Sequence, residues 1–161
     1  QYLNMGPGNM FVGATVGAMG PGVPSAVAVG ICSPGRQVVA FVGDGGVLMT
    51  GNELATAVQY GVAIKLFIAD NAAYGTIRMH QETYYPKRIS GTDLVNPDFA
   101  ALARAYGAHG ETVTKTADFQ AAFERCRAVG GPSLIELVIE QDAVLPTNTL
   151  SAIQAAALKA D

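Results

Sequence analysis

Two apolar, β-branched runs frame the middle of the chain, Gln37 to Val42 (QVVAFV) and Ile64 to Ala69 (IKLFIA). Neither alternates strictly with polar residues, so each predicts a strand buried on both faces, as in a parallel sheet. Between them, Thr50-Gly51-Asn52-Glu53 has the form of a capping box and opens a helical stretch to about Tyr60. Gly61 suits the position just past its end. The order is strand, glycine turn, helix, strand.

The flanking segments extend this alternation. Val23 to Cys32 predicts a small-residue helix ended by Ser33-Pro34-Gly35. Pro97 to Tyr106 predicts another, with Asn96 as N-cap and Gly107 as its stop. His109 to Val113 reads as a short strand, Asp118 to Ala128 as an amphipathic helix, and Ser133 to Ile139 (SLIELVI) as the last clear strand. The expected fold is α/β, a doubly wound, mostly parallel sheet with helices on both faces. It forms a single domain over 1–161, with 1–16 a glycine-rich lead-in expected to move without a ligand. Residues 147–161 form a C-terminal tail in which alanine-rich Leu150 to Lys159 favours helix.

Composition narrows the partners. The chain has 161 residues, half of them hydrophobic, and a domain of this length buries about 70% of its unfolded surface. A formal charge of −3, a pI of 5.3 and the absence of a basic cluster argue against a nucleic-acid surface. No run of some 18 apolar residues is present, so no membrane span is expected. Cys32 and Cys126 fit reduced thiols better than a disulfide framework, which suggests the cytoplasm. The chain opens at Gln1 with no initiator Met and no basic stretch ahead of an apolar one, and reads as a processed chain or a fragment without a signal peptide.

The glycine turn carries the candidate chemistry. Gly43-Asp44-Gly45-Gly46 closes the first strand and Asp70-Asn71 closes the second. In a strand–helix–strand unit both fall outside the carboxyl ends of neighbouring parallel strands, where ligands bind. Asp44 offers a carboxylate oxygen, Asn71 an amide oxygen, and a backbone carbonyl just past Asn71 a third ligand. Mg²⁺ takes six oxygens and shares them among protein, phosphate and water. Gly45 and Gly46 would let a phosphate approach backbone N–H groups at the start of the following helix. Neither a P-loop nor a Gly-x-Gly-x-x-Gly turn follows the first strand.

At these residues the chain resembles the cofactor-binding (PP) domain of thiamine diphosphate enzymes, whose motif is Gly-Asp-Gly and, some two dozen residues on, Asn-Asn. The resemblance runs from about Gly17 to Pro146. It is nearest the acetolactate (acetohydroxyacid) synthase, pyruvate oxidase and benzoylformate decarboxylase group, on Gly17-Ala18-Met19-Gly20-Pro21-Gly22-Val23-Pro24 and Tyr74-Gly75-Thr76-Ile77-Arg78. The first motif asparagine is Asp70 here. The resemblance implies thiamine diphosphate and Mg²⁺ as cofactors, with Asp44, Asn71 and the backbone carbonyl of Ala73 holding the metal. It places Gly17, Met19, Gly43, Gly45, Gly46, Tyr74 and Gly75 against the cofactor. The carbonyl of Gly17 would accept a hydrogen bond from its 4′-amino group, and Met19 would wedge it into a V shape. Thr76, Ile77 and His80 would line the substrate pocket, His80 standing where acetohydroxyacid synthases have Trp.

Ordinary readings stand beside several of these. Met19 also fits a flexible core filler, and His80, a candidate proton shuttle, also fits a solvated helix histidine. Tyr74 offers either its N–H to the diphosphate or only a packing ring. Asp70 reads more simply as a strand-end residue bonding turn N–H groups. His109 has no Cys, His or Glu at ligand spacing and reads as structural. Arg78, Glu82, Lys87 and Arg88 read as a solvated rim, with an arginine that can attract a carboxylate.

The family's activating glutamate belongs to a pyrimidine-binding (PYR) domain, usually across a subunit interface, and nothing here matches that domain. The chain therefore reads as half of an active site in a homo-oligomer that decarboxylates or carboligates a 2-oxo acid, and as inactive alone. Two alternatives are a small PP subunit of a two-chain decarboxylase, and an isolated cofactor-binding or assembly module.

Overall fold

The two apolar runs differ: Ile64 to Ile68 is buried on both faces as expected, whereas Val39 and Phe41 of the first run are exposed, because that run forms the edge of the sheet and is covered by helices on one face. In the computed structural model, which describes residues 6–13 and 16–159, four strands pair in the order β1-β2-β4-β3. In chain order the elements are helix α1 (Gly22–Cys32), strand β1 (Val38–Gly43), helices α2 (Asp44–Thr50) and α3 (Leu54–Gln59), strand β2 (Ile64–Asp70) and helices α4 (Gly75–Tyr84) and α5 (Phe99–Tyr106). Strand β3 (His109–Val113), helix α6 (Phe119–Ala128), strand β4 (Ser133–Val138) and helix α7 (Leu150–Ala157) complete it. All strand pairs are parallel. Residues 1–5 and 14–15 of the expected lead-in, and 160–161 of the tail, lie outside the described residues.

Same-handed crossovers explain which helix covers which face. The chain steps from β1 to β2 and onward to β3 in one direction, then back to β4, so the last crossover must fall on the opposite face. One core accordingly joins Val23 and Val27 of α1, Val47 of α2, Leu54 of α3 and Phe99 of α5 to Ile64, Leu66, Ile68 and Leu134 of the sheet. The other joins Ala122 and Cys126 of α6 to Phe67, Val113 and Ile135. The sheet therefore has helices on both faces, the expected α/β arrangement.

Two expected helix starts move for tertiary reasons. The run after β1 is not a glycine turn: Gly43 is the N-cap of α2, and Gly45 and Gly46 lie in its first turn. Thr50 caps nothing, because its hydroxyl donates to the Gly20 carbonyl. Glu53 likewise accepts from the Thr56 hydroxyl at 2.9 Å instead of reaching back. A short 3₁₀ turn, Gly51–Glu53, joins α2 to α3 in place of the capping box. The cap of α5 is Asp98, accepting from the Ala101 N–H at 2.7 Å, and Asn96 is engaged elsewhere. Gly61 and Gly107 do end α3 and α5 with positive φ, as their sequence positions predict.

The tail is not loose: α7 packs on α4, and Leu150 is buried there. Thr149 caps α7 through the Ala152 N–H. Asp142 adds a second clamp, accepting from the Ser151 N–H at 2.8 Å and from the Ser151 hydroxyl at 2.7 Å.

Candidate active site

The register of β1 on β2 pairs Gly43 with Ala69, so the residues that follow, Asp44 and Asp70, emerge side by side at the carboxyl end of the sheet. Both carboxylates accept from one amide nitrogen. Asn96 Nδ2 lies 2.8 Å from Asp44 Oδ2 and 2.7 Å from Asp70 Oδ1. The second oxygen of Asp44 accepts from the Gly45 N–H at 2.9 Å, within the first turn of α2. Asp44 is 3% exposed. Burial raises its carboxyl above the ordinary range, and the neighbouring Asp70 adds to this, while the Asn96 and Gly45 donors pull it back.

A third buried carboxylate continues the row on β4. Glu136 accepts from the Thr112 hydroxyl at 2.7 Å, and burial, assisted by Asp70 and Asp98, holds its carboxyl above the usual range. Asp70 thus stands between two acids, which makes the amide donated by Asn96 costly to lose. Asn96 Oδ1, by contrast, is buried with no hydrogen-bond partner, and native structures rarely leave such an atom without water, ion or ligand.

The loop past β2 is shaped by its own side chains. Asp70 Oδ1 also accepts from the Ala72 N–H, and Asn71 Oδ1 from the Ala73 N–H at 3.2 Å. The first of these is the strand-end role that the Asp70 position suggested. Ala72 sits at φ 55, a left-handed conformation costly for a residue with a Cβ. Outside bonds hold it: the Leu94 N–H donates to the Ala72 carbonyl at 2.9 Å. Gln141 Nε2 reaches the Asn71 and Ala72 carbonyls at 3.3 and 3.4 Å. The Ala73 carbonyl accepts from the Gly75 N–H and retains a second lone pair.

Two glycines are required by close approach. A Cβ on Gly45 would lie 2.4 Å from Tyr74 Cε1 and 3.2 Å from Met19 Cε, so the Tyr74 ring and Met19 converge on the first turn of α2. A Cβ on Gly75 would lie 2.9 Å from Asn71 Nδ2. The Tyr74 N–H is committed to the Thr92 carbonyl at 2.9 Å, so the packing role of its ring is the one displayed. Met19 remains half exposed. Gly17 has φ 68 and is exposed.

The suggested substrate-pocket residues share an outer surface. Thr76, Ile77 and His80 are exposed on α4, and the His80 ring stacks with Tyr84 at 6.3 Å. Two clefts lie elsewhere. One of about 550 Å³ is lined by Arg36, Tyr60 and Lys65 near the amino ends of the strands. One of about 410 Å³, between α4 and α7, is lined by Arg78, Gln141 and Ser151.

The expected charged rim is half wrong. Arg78 is 5% and Glu82 2% exposed, because each ties a loop to α4, Arg78 through loop side chains and Glu82 through a backbone N–H. Arg78 donates to the Thr92 hydroxyl at 3.0 Å, to Gln141 Oε1 at 2.8 Å, and to Asp93. Glu82 accepts from the Lys87 N–H at 3.0 Å. Arg78 therefore braces the loop after β2 through Gln141 and is spent as a carboxylate attractor. Sequence reasoning missed Asn96, Thr92, Gln141 and Glu136 at this end of the sheet. Only Asn96 had been singled out, for a cap that Asp98 supplies.

Comparison with known proteins gives a consistent result. The model of the family described as thiamine pyrophosphate enzyme, C-terminal TPP binding domain, matches residues 1–137. The acetolactate synthase large subunit of Parasynechococcus marenigrum is 40% identical over 116 residues, covering 71% of this chain and 19% of that protein. The acetolactate synthase isozyme 2 large subunit of Escherichia coli K12 is 34% identical over 136 residues, 84% of this chain and 25% of its own length. The chain thus spans a quarter or less of these relatives. Among solved structures, the thiamine diphosphate-dependent 4-hydroxybenzoylformate decarboxylase of Rhodococcus jostii RHA1 superposes with a TM-score of 0.73 at 34% identity, over 78% of this chain and 24% of that one.

Proposed function

The chain belongs to the C-terminal TPP-binding domain family of thiamine pyrophosphate enzymes, and from that premise we propose that it binds the cofactor's diphosphate through Mg²⁺ held by Asp44, Asn71 and the Ala73 carbonyl. The parent enzyme decarboxylates or carboligates a 2-oxo acid. The observation that carries this reading is the convergence of Asp44 with the Asp70-Asn71 loop at the ends of two adjacent strands, bridged by Asn96.

The donor set suits a hard cation, since every candidate ligand atom is an oxygen and one is a buried carboxylate. Positive charge beside Asp44 would offset the burial that chiefly opposes its ionisation, and the smaller repulsion from Asp70. The amino end of α2 offers a phosphate the Gly46 N–H and a partial positive charge, while the Gly45 N–H is engaged by Asp44 and the missing Gly45 side chain leaves room for approach. When bound, the thiazolium of the cofactor supplies the carbon nucleophile and electron sink for 2-oxo acid chemistry. This chain's residues orient it: Met19 and the Tyr74 ring form the apolar wall above Gly45, and the Ala72 turn presents Asn71 and Ala73.

The whole 161-residue chain is read as one domain, with the activating carboxylate supplied by a pyrimidine-binding domain outside it. Thermal unfolding with and without thiamine diphosphate plus Mg²⁺ tests the proposal. Ligand at 100 times its Kd adds about 2.7 kcal/mol, and omitting Mg²⁺ or introducing Asp44→Ala should remove the gain. An Asp44→Ala protein stabilised as much as the wild type would refute the metal assignment.

A further inference from the structure

At the far end of the sheet, three side chains of unlike chemistry meet. His109 opens β3, Glu111 follows two residues later on the same face, and Cys126 comes from α6, which packs against that strand. His109 Nε2 is 2.8 Å from Glu111 Oε1, and one ligand atom from each of the three residues lies within 4.8 Å of the other two. Against the sequence expectation, His109 has a partner at ligand spacing: Glu111, two residues on in the same strand, shares its face, and only Cys126 needed the packing of α6 on β3 to join them.

We propose that His109 Nε2, Glu111 Oε1 and Cys126 Sγ form a site for a divalent ion of zinc's class, with water as the fourth ligand. A thiolate and an imidazole select zinc or cobalt over magnesium or calcium, so this site differs in kind from the all-oxygen set around Asp44. Tetrahedral ligation at zinc's bond lengths needs donor separations of roughly 3.3–3.7 Å, which a shift of about an ångström within the present cluster provides. Arg125 grips the glutamate from outside, its Nη2 donating to Glu111 Oε2 at 2.6 Å and its Nε to Oε1 at 2.9 Å and Oε2 at 3.1 Å. Oε1 thus meets both His109 and the guanidinium, and an ion would take the place of the His109 contact while Arg125 keeps the outer hydrogen bonds that fix a ligand.

The thiol must lose its proton to bind. Burial, helped by Glu111, pushes Cys126 up to about 11, against the opposing pull of Lys65 and Arg125. At neutral pH the ion therefore displaces a proton to solvent as the sulfur–metal bond forms, and affinity rises with pH. His109, Glu111, Arg125 and Lys65 are the charged or titratable groups that face the sulfur. A bound ion would pin α6 to the edge strand β3.

Titration of the 161-residue chain with Co²⁺ alone tests the site. The expected result is one equivalent bound, with a sulfur-to-cobalt charge-transfer band in the near ultraviolet that Zn²⁺ abolishes. Cobalt at Asp44 would give no such band, since no thiol is among those ligands. Cys126→Ala and the half-exposed His109→Ala should each lose the band or weaken binding at least tenfold, whereas Cys32→Ala should keep it. No band in the wild type, or a band that survives Cys126→Ala, would overturn the proposal and leave His109, Glu111 and Arg125 as an ion cluster only.

Discussion

Asn96 shows how much a single amide can organise. Its nitrogen separates two carboxylates that would otherwise repel each other in a buried setting, and its removal strips Asp44 Oδ2 of its donor and leaves Asp70 Oδ1 with the Ala72 N–H alone. Asn96→Leu should therefore cost roughly 1–3 kcal/mol in urea unfolding and weaken Mg²⁺-dependent cofactor binding by at least tenfold in calorimetry. Binding that survives unchanged would show that Asp44 needs no such support. Glu111 gives the opposite electrostatic case. The Arg125 fork, with help from His109, holds its carboxyl below the usual range, so the folded state binds the ionised form better than the unfolded chain does. Its contribution is complete above the ordinary glutamate range near 4.5 and is lost as pH falls through its depressed value. The stability gap between wild type and Glu111→Gln, followed by urea unfolding from neutral pH downward, should close in acid. A gap that widened there would reverse the assignment.

At the scale of elements, ends matter more than interiors. Helix α2 begins at Asp44 because Gly43 leaves the strand with extended backbone and the next residues turn at once. This puts Gly45 in the first turn, under the Tyr74 ring. Gly45→Ala should displace that ring, and both stability and cofactor affinity should fall, whereas the same change at exposed Gly130 should do neither. Helix α7 has short length, an exposed outer face and a cap that depends on two side chains. Asp142→Ala removes both bonds to Ser151, so amide exchange over 150–157 should speed up while exchange in the strands does not change. Equal protection in the variant would mean that packing on α4 alone holds the helix.

For the whole molecule, the open question is completeness of the site. No helix among the described residues is long and apolar enough to cross a membrane, and this chain spans a quarter or less of the length of the relatives it matches. On the proposed reading, an activating carboxylate must face the cofactor's pyrimidine, and the buried acids Asp44, Asp70 and Glu136 all lie instead at the end of the sheet proposed to hold the diphosphate. The 161-residue chain should bind the cofactor yet show no decarboxylation of pyruvate or benzoylformate above background. Added pyrimidine-binding domain should restore turnover. Brisk turnover by the chain alone would refute the half-site reading.

The sheet and its motif were legible because their causes are local. Continuous apolar runs specify strands, though only the second proved buried on both faces, glycines at Gly61 and Gly107 stop helices, and the interval from Asp44 to Asn71 is fixed by one crossover. The order of the strands, the burial of Arg78 and Glu82, the diversion of Thr50 to the Gly20 carbonyl and the meeting of His109 with Cys126 were decided only in three dimensions. Each of these depends on which partner a polar group finds across the fold. Hydrophobic periodicity records that a side chain is inside, but a hydrogen-bonding group can be satisfied equally well by a neighbour in sequence or by one brought from a distant element, and only packing chooses between them.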